Sequence, residues 1–256
     1  MTTYKRRQSL LDLLHTQPDL RVPEIAASMG VSEGTVRNDL NALEEEGRLR
    51  RVHGGAILNS DDQFKNNSFL RRYELNVEAK LAIAHKAVNL VNDGDSILLD
   101  ASSTGYYFAR QLRERQNLRV VTNGFEVARE LAQNPSNNVI LIGGVVNNNA
   151  SSVSGLLSER IIEDLHIQKA FLSCSGFSLE RGMTEIYFDE AQLKRKIIES
   201  TDYLYALVDS SKFGVEDMTS FARREKIMTL FTDSGVTEEW KEKFVQVGIN
   251  LVICDI

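Results

Sequence analysis

Short polar and basic side chains cluster between residues 32 and 41, where the sequence predicts a helix with one apolar face. Val36, Leu40 and Leu43 are spaced three or four residues apart, so they dock one face of the helix and leave the other exposed. The exposed face and the helix N-terminus carry donors and acceptors suited to nucleic-acid bases and phosphates. These candidate DNA-contacting residues are Ser32, Gly34, Thr35, Arg37, Asn38 and Asn41.

Two neighbouring elements are predicted to position this helix. Residues 22–29 have the same apolar spacing and Gly30 breaks them off, which is typical of a helix-turn-helix. After a left-handed cap at Gly47, residues 48–53 alternate like a strand and Gly54-Gly55 turns the chain back. The hairpin is a basic wing beside the helix or, alternatively, a solvated surface. Its candidate phosphate contacts are Arg48, Arg50, Arg51 and His53.

The hydrophobic pattern of the sequence changes at Phe69, after a polar and aperiodic segment at 58–68 that is predicted to be a linker. Short apolar runs then alternate with helical patterns, which predicts a mainly parallel sheet with helices on both faces. The predicted domains are a DNA-binding domain at 1–57 and an α/β domain at 69–256. The predicted strands lie at 96–99, 118–121, 139–142, 170–172, 204–208, 228–231 and 251–253.

Small polar residues follow most of these runs, at the edge where open α/β sheets bind ligands. Asp100–Thr104 is the strongest such loop, because its amides and hydroxyls can surround a phosphate; the alternative is a plain helix cap. Lys80, Lys194 and Lys212 are either anion ligands or solvated lysines. The edge suits an anionic, hydroxyl-rich small molecule. Its candidate ligand-binding residues are Lys80, Asp100, Ser102, Ser103, Thr104, Thr122, Asn123, Gly143, Gly144, Gly176, Lys194, Asp209 and Lys212.

Composition restricts the classes of protein to consider. The net charge is −6, yet residues 1–57 contain eight basic and eight acidic residues, so only local patches there can attract phosphates. No segment approaches the ~20 apolar residues of a membrane span, and the polar residues 2–8 lead into no signal-peptide core. Cys174 and Cys254 lie in apolar runs without the neighbours of a zinc site. We therefore expect a cytoplasmic protein with no membrane contact, metal or cofactor.

Short motifs are spread through the whole chain. The N-terminal part contains Arg6-Arg7-Gln8, Val31-Ser32, Thr35-Val36-Arg37 and Arg51–Ala56, and the α/β part contains Asp100–Thr104, Val121–Asn123, Gly143-Gly144, Gly182–Thr184 and Asp209–Gly214. With these motifs the chain resembles the DeoR-type bacterial transcriptional regulators over almost its whole length. Two positions depart from the family pattern. Asn38 stands where the family usually has arginine, and Ser102-Ser103 replaces a glycine and the residue that follows it.

The resemblance implies a winged helix-turn-helix domain followed by a sensor domain similar in fold to ribose-5-phosphate isomerase and glucosamine-6-phosphate deaminase. It also implies a sugar phosphate or related metabolite as inducer. We expect a repressor of a sugar or polyol catabolic operon that binds operator DNA as a dimer or larger homo-oligomer, since one winged module buries little surface.

Two alternatives stay open. One is an isomerase- or deaminase-like enzyme with an accessory DNA-binding head, whose Asp, Glu and Lys side chains would act as general acids and bases. Because the sequence shows no sharply spaced catalytic pair, no catalytic residue is predicted. The other alternative is an activator, since the sequence does not show whether the protein represses or activates transcription.

Overall fold

The computed structural model describes residues 3–17, 20–45, 48–52, 54–58 and 69–255. The chain forms two compact units, residues 1–67 and 68–256. Predictions for Gly47, His53 and most of the linker, residues 59–68, lie outside the described residues. None of the helices in the described ranges has the length and apolar character needed to span a bilayer.

The first unit is a winged helix-turn-helix, as predicted. The second and third helices pack on the first through an apolar core, and Gly30 ends the second with a left-handed φ of 64°. The elements are α1 (Thr3–Thr16), α2 (Val22–Met29), α3 (Glu33–Glu45), β1 (Leu49–Val52) and β2 (Gly55–Leu58).

The wing is attached to the start of α2. Strands β1 and β2 pair antiparallel, so Leu58, which the predicted linker included, is the last residue of the wing. Gly55 forms a bridge to Arg21, and the amide of Val22 donates to the carbonyl of Gly54 at 2.9 Å. These bonds fix the turn of the wing relative to the helix pair.

The second unit alternates strands and helices from Phe69 onward. The helices are α4 (Phe69–Glu74), α5 (Val77–Ala87), α6 (Ser103–Gln111), α7 (Phe125–Leu131), α8 (Leu156–Glu163), α9 (Phe188–Glu199) and α10 (Glu238–Gln246). The strands are β3 (Ser96–Leu99), β4 (Arg119–Thr122), β5 (Asn138–Leu141), β6 (Val145–Asn147), β7 (Ser152–Ser154), β8 (Ile167–Leu172), β9 (Gly176–Ser178), β10 (Gly182–Glu185), β11 (Thr201–Leu207), β12 (Thr219–Ala222), β13 (Ile227–Asp233) and β14 (Leu251–Cys254).

Seven of these strands form one sheet in the order β14-β13-β11-β8-β3-β4-β5, and every pairing is parallel. The predicted parallel α/β architecture is confirmed, because each predicted run coincides with one of these strands to within a few residues. Both faces are covered, since Ala170 and Leu172 of β8 join one core cluster and Phe171 joins the other.

The strand order changes direction between β3 and β8. From β3 the chain builds outward through β4 and β5, and it then returns to the other side of β3 and builds outward from β8. The loops after β3 and β8 therefore leave the sheet in opposite directions, which opens a crevice at its carboxyl edge. Two small antiparallel additions, the sheet β12-β10-β9 and the hairpin β6-β7, complete the unit.

Candidate DNA interface and effector site

The predicted DNA-contacting face of α3 is exposed. The Ser32 hydroxyl accepts a hydrogen bond from the amide of Thr35 at 3.2 Å, so Ser32 caps the helix as its sequence position predicts. Val36, Leu40 and Leu43 are fully buried on the opposite face. The helix thus presents an exposed row made of Ser32, Gly34, Arg37, Asn38 and Asn41, with Thr35 half-buried beside them.

Arg37 of this row and Arg51 of the wing each have a partner within the protein. Arg37 donates to the carboxylate of Glu33 one turn earlier at 2.7 Å, and both side chains are solvent-exposed. Arg51 of the wing donates from its guanidinium to Asn41, and its backbone amide donates to Glu44 at 2.7 Å. A phosphate therefore has to compete with Glu33 for Arg37, whereas Arg51 joins the wing to α3.

A buried ion-pair cluster holds α3 against α1. Asp39 is 2 % exposed and accepts from Arg6 at 2.5 Å and from Arg7 at 3.2 Å. Burial opposes ionisation of Asp39, but the hydrogen bonds from Arg6 and Arg7 lower its pKa overall. Sequence reasoning placed Arg6 and Arg7 in a short motif and did not pair them with Asp39. The signal was Asp39, which lies on the apolar stripe of α3 and needs a buried partner.

The wing supplies the remaining basic groups. Arg50 is exposed and Arg48 is half-buried, while Leu49 between them is buried in the core of the unit. This alternation directs Arg48 and Arg50 away from the core, as the strand pattern predicts.

In the second unit, Asp100 joins the two loops that border the crevice. Its carboxylate accepts from the amide of Ser173, which follows β8, at 2.9 Å. The same carboxylate accepts from the Ser102 hydroxyl at 2.6 Å. Because Asp100 is 1 % exposed, it acts inside the protein as a support for the loop.

Lys194 of α9 lies beneath this loop with three acceptors around its ammonium group. Its Nζ is 2.9 Å from Asp100, 2.5 Å from Glu185 and 2.8 Å from the carbonyl of Ser173. Burial opposes the charged form, but the two carboxylates raise the pKa of Lys194. All three protons of the ammonium group are therefore used within the protein.

The N-terminus of α6 borders the crevice. Ser102 is its N-cap, with a hydroxyl that accepts from the amide of Gly105 at 2.8 Å. Ser103 and Thr104, in the first turn, are buried. The Thr104 hydroxyl has no hydrogen-bond partner among the described residues, although Thr104 is 0 % exposed. A buried hydroxyl without a partner is unfavourable, so this position is suited to a ligand atom.

Thr122 and Asn123, which follow β4, have internal partners. The Thr122 hydroxyl accepts from Gly124 at 3.1 Å, and the Asn123 side chain accepts from Ala101 at 3.0 Å and donates to Glu190 at 3.3 Å. Glu190 also accepts from Ser152. Burial raises the pKa of Glu190. These residues connect the loop after β3 to α9 and the β6-β7 hairpin.

A second polar group lies after β11. Lys212 Nζ donates to the Ser173 hydroxyl at 3.0 Å and is 3.4 Å from Asp209. Asp209 also accepts from Asn76 at 3.1 Å. Lys80 is 2 % exposed and donates to the carbonyls of Arg72 and Leu75 at the end of α4. Burial and the charge of Lys212 lower the pKa of Lys80 to about 8.

Two of the three predicted glycines, Gly144 and Gly176, are sites of close packing, whereas a Cβ at Gly143 would meet no atom within 4 Å. The carbonyl of Gly143 accepts from the Ser158 hydroxyl at 2.7 Å. A Cβ at Gly144 would lie 2.5 Å from the carbonyl oxygen of Ser154, and one at Gly176 would lie 2.4 Å from that of Val215. Both positions therefore exclude a side chain.

The structure thus brings together Asp100, Ser102, Ser103, Thr104, Lys194 and Lys212 at the switch between β3 and β8. Sequence reasoning did not identify Glu185 or Glu190 as parts of this network. A signal existed for Glu190, because it lies four residues before Lys194 on a stripe that continues to Ile197, and all three are buried. Glu185 gave no such signal, since it ends a short strand without an apolar run.

Among the described residues, no group of three or more His, Cys, Asp and Glu side chains is arranged to hold a metal ion. His166, which precedes β8 at the amino edge of the sheet, is 77 % exposed and 3.4 Å from Asp202.

Comparison with known proteins identifies both units. Residues 6–62 match the DeoR-like helix-turn-helix domain, and residues 75–234 match the DeoR C terminal sensor domain. The chain is 38% identical over 256 residues to the HTH-type transcriptional regulator GolR of Listeria innocua, covering 100% of both chains. These matches are to regulators of transcription and not to enzymes.

Two further relatives carry names that include a sugar. The Lactose phosphotransferase system repressor of Streptococcus mutans is 34% identical, with 91% of this chain and 93% of the relative covered. The L-fucose operon activator of Haemophilus influenzae is 34% identical, with 97% and 99% covered. A solved D-ribose-5-phosphate isomerase covers 52% of each chain at 14% identity and a TM-score of 0.39, a likeness too weak to carry an inference about the ligand.

Proposed function

Because the chain belongs to the DeoR family of transcriptional regulators, we propose that it represses a sugar or polyol catabolic operon and that a phosphorylated sugar or related metabolite relieves the repression. The named sugar-operon relatives support the operon class. One of them is an activator, so the sign of regulation is part of what has to be measured. The observation that carries the effector proposal is the buried, unpartnered hydroxyl of Thr104.

The proposed phosphate position is the N-terminus of α6. The positive end of a helix favours an anion, and amides in the first turn have no partner within the helix. A phosphate there would accept from the Thr104 hydroxyl and from Ser103. Lys212 and Lys80 would supply charge, and an anion beside them would favour the ammonium form of Lys80, whose pKa burial and Lys212 lower.

The remaining predicted residues are assigned a different role. Asp100, Asn123 and Lys194 are buried and use their polar atoms within the protein, so we assign them to positioning the loop that holds the phosphate. Thr122 and the glycines at 143, 144 and 176 belong to the same supporting group. Only a few of the predicted residues then contact the effector directly.

A path from this position to the linker runs through α6 and α4. Tyr107 of α6 stacks on Tyr73 of α4, with ring centroids 5.2 Å apart, and its hydroxyl donates to the carbonyl of Tyr73 at 3.1 Å. Helix α4 is the first described element after the linker, and Lys80 holds its last carbonyls. A ligand that repositions α6 would thereby move α4. Relief of repression requires ~1–3 kcal/mol of such coupling.

Thermal melting with a panel of sugars and their phosphates tests the effector proposal. We expect one sugar phosphate to raise the melting temperature by mass action, while its free sugar does not. Thr104→Val should reduce affinity for that compound by roughly 10- to 100-fold, since a hydrogen bond to a charged group contributes about 1.5–3 kcal/mol. Without ligand, this variant should be at least as stable as the wild type.

Thr232→Val is the matched control. Its hydroxyl is also fully buried and unpartnered among the described residues, but Thr232 lies on β13, which two other strands, β11 and β8, separate from β3. The control should respond to the phosphate like the wild type. The effector proposal fails when no phosphate shifts the wild type, or when Thr104→Val responds as the control does.

A further inference from the structure

One long segment of the second unit lacks charge. Residues 131–158 contain no Asp, Glu, Lys or Arg, although these residues make up 26% of the chain. The segment includes the edge strand β5, the β6-β7 hairpin and the start of α8. An uncharged stretch of this length on a surface is unusual, because solvated faces normally carry charged side chains.

Large apolar side chains are exposed on this segment and at the start of α9. We call this set the apolar face: Leu141, Val145, Val146, Leu156, Leu157 and Phe188. Their exposure runs from 40% for Leu141 to 69% for Val145. Val145, Val146 and Phe188 line one cavity of about 490 Å³, and a Cβ at Gly155 would lie 3.6 Å from Val145. The cavity joins the hairpin β6-β7 to the start of α9, and polar residues such as Asn147, Asn149 and Asp189 also line it.

An open strand edge lies beside the apolar face. Strand β5 is last in its sheet and pairs with β4 on one side, and no other described strand pairs with its outer edge. Ile140 and Leu141 of this strand are exposed. Proteins usually protect such edges with charged residues or proline within the strand, and β5 has neither. An apolar, unprotected edge is typical of a surface that a partner covers.

Charge favours a second copy of this chain as the partner. The part of the chain after residue 57 carries the whole net charge of −6, so two copies repel each other when charged faces meet. The apolar face avoids this repulsion. A two-fold contact also needs a self-complementary surface, which apolar side chains and an antiparallel pair of β5 edges provide. We propose that two copies of the chain associate through the apolar face and the β5 edge.

This inference rests on the proposed function, because operator binding there requires two DNA-binding heads. Sedimentation velocity of the full chain, without DNA or sugar phosphate, compares wild type, Val145→Glu and Val245→Glu. Val245 on α10 is the matched control, since it is 79% exposed and takes the same substitution. We expect the wild type and Val245→Glu to sediment as a dimer or larger species. Val145→Glu should raise the dissociation constant by at least about 100-fold.

A charge-reversal experiment separates a broken contact from a damaged fold. Mixing Val145→Glu with Val145→Lys protein should restore association, because the shared contact then contains opposite charges in place of two like charges. A monomeric wild type, or a Val145→Glu variant that associates as the control does, would overturn the proposal. A Val145→Glu variant that sediments like the wild type but no longer responds to sugar phosphate would also overturn the proposal, since the cavity would then bind ligand. Association is measured without effector, so its failure leaves the sugar-phosphate proposal intact.

Discussion

Replacing Lys194 by methionine tests whether this lysine supports the crevice from within. The substitution keeps the length of the side chain but removes the cation between two carboxylates, Asp100 and Glu185, which are 1 % and 6 % exposed. Removing one partner of a buried ion pair destabilises a protein by about 3–5 kcal/mol. Asp100 keeps its bonds to Ser173 and Ser102, and Glu185 keeps its bond to Ser175, so we expect a loss within that range.

Lys196→Met on the same helix is the matched control. Lys196 also contacts two carboxylates, Glu163 at 3.0 Å and Glu199 at 3.3 Å, but these pairs are exposed to solvent. Exposed pairs contribute about 0–1 kcal/mol, so the control should lose little. Urea denaturation of the full chain, with the same slope for each variant, gives the free energies of unfolding.

The pH dependence of the Lys194→Met variant has a definite sign. Without the cation, burial raises the pKa of Asp100, so the charged form of Asp100 destabilises the fold above that pKa. The difference in unfolding free energy between wild type and variant should shrink as the pH falls. A loss no larger than that of Lys196→Met, or one that does not respond to pH, would refute the supporting role of Lys194.

Two other perturbations have clear expected outcomes. Arg37→Ala should weaken binding to a duplex selected from a random library by about 1–3 kcal/mol, measured by fluorescence anisotropy, while Glu33→Gln should strengthen it by freeing Arg37; equal affinities would remove Arg37 from the contact set. Glu190→Gln should be increasingly more stable than the wild type as the pH rises from 4.5 through the raised pKa of Glu190, because only the wild type acquires a buried charge. Denaturation across a pH series measures the two free energies of unfolding. A difference between them that is the same at every pH would contradict this expectation.

The architecture could be predicted from the sequence because both units follow strong local rules. Strands buried on both faces appear as continuous apolar runs, so 96–99 and 204–208 are identified directly. The cap at Ser32 and the break at Gly30 mark the ends of the two helices of the helix-turn-helix. Fold class follows from such repeated patterns and does not require the partners of individual side chains.

The polar networks could not be predicted, because they join residues that are distant in the chain. Asp39 meets Arg6 across 33 positions, and Lys194 meets Asp100 only when the sheet places α9 beneath the loop after β3. A lysine that contacts a ligand and a lysine that supports a loop therefore look alike in the sequence. The structure distinguishes Lys194 from Lys212, because Lys194 is more buried and has three acceptors around its ammonium group.

Release of operator DNA by the sugar phosphate tests the central claim most directly. Labelled duplex selected from a random library is bound to wild type, Thr104→Val or Thr232→Val and titrated with the phosphate that stabilises the protein. The account predicts release of DNA from the wild type and from Thr232→Val, and at least about 10-fold more phosphate to release it from Thr104→Val. A phosphate that tightens operator binding, or a free sugar that releases DNA equally well, would contradict the account.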